Sequence, residues 1–164
     1  MPCGNTWTTH APKRFRVTAD LKTRWLPAVG SGVLLTAAFP KPGLSLLAWV
    51  ALVPLLIALR RLDSGQAFRT GLIVGLVHYL SLLYWVVITM RTYGYLPWWQ
   101  CISLLVLLSA YLGLYPAFFA MLVARFCRRP GQLVLLAPVC WVALAYARSF
   151  LLTGFPWGTL GYSQ

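Results

Sequence analysis

The chain has 164 residues, of which 60% are hydrophobic and only 10% charged, well below the roughly 25% charged residues of a soluble domain. Its formal net charge is +12, from 14 Lys and Arg against Asp20 and Asp63. The basic residues sit at the ends of apolar blocks and form no groove-reading face, so the charge points to membrane topology and no nucleic-acid partner is expected.

Residues 1–24 are polar, basic and without apolar periodicity, and are expected to form a cytoplasmic tail with little fixed structure. Two short apolar blocks follow, Leu26–Phe39 and Leu44–Leu59, joined by the turn "PKPG" at 40–43. As helices they rise only about 21 and 24 Å, less than a bilayer core requires. They read as a tilted helical pair or a re-entrant hairpin. A cleaved signal peptide is a third option, since the first block follows basic residues and ends near "TAA". "RRLDSGQAFRT" is a polar turn in which Ser64 can cap the next helix, with Gln66 nearby. The third block, Gly71–Met90, has span length, and its Gly71 and Gly75 fit the small-xxx-small spacing of close helix packing.

"RTYGYLPWW" turns the chain, with Tyr93, Tyr95, Trp98 and Trp99 suited to the headgroup layer. The fourth block, Trp98–Ala124, contains Pro116, expected to kink it. "RFCRRPGQ" leads into the fifth block, Leu133–Leu152, which carries Arg148. Lys13, Arg14, Arg16, Lys22, Arg24, Arg60, Arg61, Arg69, Arg125, Arg128 and Arg129 then fall on one side of the bilayer. Only Lys41, Arg91 and Arg148 fall on the other. The N-terminus is therefore expected inside and residues 153–164 outside. The fold class expected is an all-α integral membrane bundle of about five hydrophobic helices, the first two short. Residues 25–152 form its transmembrane domain and 153–164 a loop.

After Asp63 the sequence contains no carboxylate side chain. Paired acids for hydrolysis, an acidic proton relay and a carboxylate metal site are thereby excluded from that stretch. Cys3, Cys101, Cys127 and Cys140 show no metal-ligand or redox spacing. No cofactor and no metal is expected. His78, deep in the third block, is a polar candidate by its depth. Its plainer reading is an imidazole bonded to a hydroxyl, such as Ser81 or a group on another helix. Arg148 either contacts a headgroup or substrate, or extends to the outer interface. In "TGFPWGTLGYSQ", residues 153–164, Gly154, Gly158 and Gly161 surround Phe155, Pro156 and Trp157, the pattern of a shaped loop.

That last segment resembles the signature of bacterial apolipoprotein N-acyltransferases, TGFPW followed by GYSQ. "LAWVALVPLLIALR" (47–60), "LLYWV" (82–86), "LYPAFFA" (114–120) and the stretch from Trp141 to Arg148 agree in order, so the resemblance covers about residues 25–164. It implies an inner-membrane enzyme that moves an acyl chain from phospholipid to the N-terminal diacylglyceryl-cysteine of lipoproteins. It also implies a periplasmic nitrilase-like domain with a Glu-Lys-Cys triad, whose cysteine carries the acyl group. The chain is expected to be an N-terminal membrane fragment that stops before this domain, inactive alone and with no catalytic residue of its own; a separate nitrilase-like half is a candidate partner. The lipid- and substrate-groove candidates are Arg148, Phe155, Pro156, Trp157, Gly161 and Tyr162, and the partners are the bilayer, the phospholipid donor and the lipoprotein N-terminus. One departure concerns Ala145, where the family commonly has Glu three residues before the Arg. The rival readings are a small non-enzymatic scaffold or transporter subunit, and an intramembrane hydrolase using His78.

Overall fold

The computed structural model describes residues 21–38, 50–60, 62–127 and 129–151. Six helices are described: α1 Leu21–Ala37, α2 Val53–Leu59, α3 Ser64–Leu82, α4 Tyr84–Gly94, α5 Trp98–Phe126 and α6 Pro130–Arg148. No strand occurs among the described residues. The all-α membrane class is therefore correct. Helix α1 begins at Leu21, ahead of the expected domain boundary at 25.

Helices α5 and α6, of 29 and 19 residues, are long and apolar enough to cross a membrane. At 1.5 Å per residue they rise about 43 and 28 Å. The third apolar block is not one straight helix. Its chain breaks at Leu83, and α3 and α4 meet there at 44°, so the pair is a broken span or a re-entrant segment. Neither proline nor glycine marks the break. Leu83 instead leaves helical geometry (φ −98°, ψ 10°) while its side chain stays buried beside Tyr79 and Leu112. The Val86 N–H reaches back only to the Leu83 carbonyl, at 2.9 Å.

The bundle is organised around α3 and α5, which share its most extensive contact. Small residues make that contact possible. A Cβ added at Gly71 would overlap the Pro116 carbonyl oxygen and lie 2.7 Å from Ala120 Cβ. One added at Gly75 would lie 2.6 Å from Gly113 Cα. The two backbones thus touch, as small-xxx-small seams permit. The α5 side of the seam is Gly113, Ala117 and Ala120, all buried. Helix α5 runs through Pro116, whose own carbonyl faces Gly71, while the missing Pro116 N–H leaves the Leu112 carbonyl without its helical donor.

Around this pair α1 packs on α3, α2 on α1, and α6 on α5. Helix α2 starts with Pro54 in its first turn and has no side-chain cap of its own. The Leu55 N–H, an orphan of that first turn, donates to the Ser31 hydroxyl of α1 at 3.0 Å. Ser64 does not cap α3: it is the first helical residue, and Asp63 stands at the cap position in extended conformation without a side-chain bond. Helix α4 ends at Tyr95, whose left-handed φ of 51° lets its N–H bond the Met90 carbonyl. Tyr93, Tyr95, Trp98 and Trp99 all face outward, and the Arg91 guanidinium lies 4.2 Å from the Trp98 ring centre. Helix α6 is capped by Gln132, which accepts from the Arg129 N–H at 3.2 Å.

The seam has a direct consequence. Gly75→Ala places a methyl where Gly113 backbone already lies, and is expected to cost about 1–3 kcal/mol. Gly65→Ala, on a helix position with nothing within 4 Å, is expected to cause no loss. Thermal melts of the two variants in detergent check the difference.

Candidate functional site

Polar side chains inside an apolar bundle must find partners, and their positions follow from the helix register. Several hydroxyls solve this alone by bonding the carbonyl one turn back. Thr70 bonds the Gln66 carbonyl at 2.9 Å, Ser81 that of Val77 at 2.7 Å and Thr89 that of Trp85 at 3.1 Å. These residues are thereby neutralised and hold nothing together.

His78, 5% exposed, is bonded across helices. The Thr36 hydroxyl on α1 lies 3.1 Å from His78 Nδ1 and 3.0 Å from the Gly32 carbonyl. One hydroxyl serves both when it donates to the carbonyl and accepts from Nδ1–H. Of the two sequence-level alternatives for its partner, the group on another helix is the one found, and Ser81 is engaged with its own helix. Gly32 allows this approach, since a Cβ there would meet Val77 Cβ at 2.9 Å.

Arg148 is 4% exposed, so it does not extend into the outer interface. It turns inward, and its Nη1 donates to the Tyr79 hydroxyl of α3. Its guanidinium carbon lies 5.7 Å from the Tyr79 ring centre. Tyr79 follows Gly75 by one turn on the same face of α3, so the glycine seam delivers it to the site. Helix α6 is held to α5 lower down by an edge-to-face contact of Trp141 with Phe119, with ring centres 5.0 Å apart.

These groups border one small cleft. His78, Tyr79, Tyr115, Trp141, Ala145 and Arg148 line a free volume of about 30 Å³. Tyr115 is joined to Tyr111 through their hydroxyls at 2.7 Å. The fold thus brings the intramembrane candidate His78 and the groove candidate Arg148 to one place, 70 positions apart in sequence. Cys140 does not line this cleft. Phe155, Pro156, Trp157, Gly161 and Tyr162 lie outside the described residues. Tyr79, Tyr115 and Thr36 were not legible as site residues. Tyr79 alone had a signal, being one turn beyond Gly75 and three turns from Ala67 on the seam face.

A second cleft of about 440 Å³ opens at the other end of the bundle, among Leu59, Arg60, Asp63, Arg125, Cys127 and Leu133. Burial, and then the neighbouring Cys140, push the Cys127 thiol up from its ordinary value. It therefore stays protonated at neutral pH and is a weak nucleophile there.

The apolipoprotein N-acyltransferase N-terminal domain matches residues 31–164. An apolipoprotein N-acyltransferase of Geobacter metallireducens is 51% identical over 140 residues, 85% of this chain and 27% of the relative. That of Photobacterium profundum is 38% identical over 86% of this chain and 28% of the relative. That of Gloeobacter violaceus is 38% identical over 84% and 27%. The chain thus spans little more than a quarter of the length of the curated relatives it matches.

The Thr36–His78 bond can be separated from bystander hydroxyls. Thr36→Val keeps the shape and removes one partner of the ring, with an expected loss of about 1 kcal/mol. Ser81→Ala is expected to change stability by less than about 0.5 kcal/mol. Reversible unfolding in mixed detergent micelles compares the two.

Proposed function

The chain belongs to the apolipoprotein N-acyltransferase family, and from that premise we propose that it is the membrane portion of an enzyme acylating lipoprotein N-termini. The relatives' name supplies the activity. In it an acyl chain leaves a phospholipid ester and ends in an amide on the α-amino group of a diacylglyceryl-cysteine. The phospholipid is left as its lyso form, and the amine loses a proton. A cysteine of the nitrilase-like part carries the acyl group between the two. None of the four cysteines in residues 1–164 is assigned that role.

The observation that carries the reading is the match through residues 31–164 together with the relatives' alignment over about 85% of the chain. The bundle supports it physically. Helix α6 presents Val134, Leu135, Val139 and Val142 outward, a face suited to acyl chains, and its last turn is pinned by Arg148. On this reading Arg148 braces the base of the 153–164 loop. On the same reading Phe155, Pro156, Trp157, Gly161 and Tyr162 contact the donor's acyl chain or bear on the nitrilase-like half. The basic residues at 13–24, 60–69 and 125–129 hold the opposite end on the cytoplasmic side of the inner membrane, and the loop faces the periplasm.

Two experiments test the proposal. In a cysteine-free background, Tyr95→Cys is expected to react with a membrane-impermeant maleimide in intact spheroplasts, and Arg125→Cys only after lysis. The reverse pattern contradicts the orientation. Co-expression with a separately encoded nitrilase-like half is expected to restore N-acylation of a reporter lipoprotein, read by mass spectrometry of its N-terminal peptide. Trp157→Ala is expected to lower that acylation at least tenfold. Failure with both halves stably inserted contradicts the assignment.

A further inference from the structure

Arg148 carries a charge that the described residues do not answer. Its side chain is 4% exposed, one nitrogen donates to Tyr79, and Nε has no acceptor among the described residues. A guanidinium has five N–H donors and no acceptor, and a tyrosine hydroxyl is a neutral partner. A buried cation without a counter-charge is strongly disfavoured. The described residues hold no carboxylate close enough to supply one. Asp63 stands at the opposite end of α3, about 24 Å along the helix from Tyr79.

The space beside the guanidinium is suited to an answer. The cleft of about 30 Å³ is bordered by Arg148 itself and by Ala145. Ala145 lies three residues earlier on the same helical face, where its methyl leaves the room that a longer side chain would fill. That volume takes one or two water-sized groups. It is too small for a phosphate ester with its glycerol. Tyr115, on the same wall, is bonded to Tyr111, whose own hydroxyl donates to the Leu151 carbonyl, so its proton is already engaged.

We propose that this cleft binds one small monovalent anion, chloride or a one-carbon carboxylate such as formate, between the Arg148 guanidinium and the Ala145 methyl. The anion takes Nε–H and supplies the missing charge, so it stabilises the junction of α3, α5 and α6. The inference stands apart from the acyl-transfer reading and does not depend on it.

The test uses the full chain in nanodiscs of zwitterionic lipid, melted at fixed ionic strength while sodium gluconate is replaced by chloride or formate. Either small anion is expected to raise the melting temperature saturably by roughly 3–8 °C, and gluconate or phosphate to leave it unchanged. Ala145→Glu, which places a carboxylate in the cleft, is expected to melt higher than the parent in gluconate and to lose the response. Ala145→Gln fills the same space without charge, and is expected to lose the response with no such gain. Arg148→Gln is expected to abolish the response; should it fail to fold, the two Ala145 variants decide. Equal melting in gluconate, chloride and formate overturns the proposal, as does an undiminished response in Ala145→Glu. A stabilisation that follows the nanodiscs' content of anionic lipid and ignores the free anion also overturns it, by assigning the counter-charge to a lipid phosphate.

Discussion

The hydrogen bond from Arg148 to Tyr79 is the interaction on which the arrangement of the upper bundle rests. Helix α6 is otherwise a lightly held span: among its described residues only Ala137 and Arg148 are buried. An apolar helix face gains nothing by leaving lipid for protein, because hydrocarbon surrounds it either way. Polar bonding and close packing must therefore fix its position. The Trp141–Phe119 ring contact sets how near α6 lies to α5. The guanidinium sets its rotation and height, since Arg148 meets an acceptor only where Tyr79 stands.

Tyr79 in turn depends on contact between backbones. Gly71 and Gly75 on α3 lie against Pro116, Ala117 and Gly113 on α5. With that seam closed, His78 and Tyr79, a turn beyond Gly75 on α3, and Tyr115 and Phe119, interleaved with the seam residues of α5, line one cleft. The Thr36–His78 bond then attaches α1 to the same level.

Much of this was readable from residue order, for reasons that differ between elements. The spans α5 and α6 announced themselves by uninterrupted apolar length, a property of composition alone. The Gly71–Gly75 seam was legible on α3 because its spacing matches the helix repeat, and Gly113 and Ala117 in "GLYPA" repeat it on α5. The break at Leu83 was not legible, because no proline or glycine marks it and the residue there is a leucine buried with Tyr79 and Leu112. Nor was the Arg148–Tyr79 pair, since 69 residues separate its members and only the packed seam brings them together. An arginine near the end of an apolar block reads equally well as facing water, and the difference is decided by what the neighbouring helix offers. The loop at 153–164, the most specific part of the sequence, lies outside the described residues, so its relation to Arg148 rests on the family's pattern.

A double-mutant cycle on Arg148 and Tyr79 tests this account most directly. Unfolding free energies of the parent, Tyr79→Phe, Arg148→Gln and the double variant are measured in the same lipid. If the guanidinium is anchored on the tyrosine hydroxyl, the two losses are non-additive by at least about 1 kcal/mol, as expected of a charge-assisted bond between buried partners. Additivity to within about 0.3 kcal/mol would contradict it, and would mean that α6 is positioned by something other than this bond.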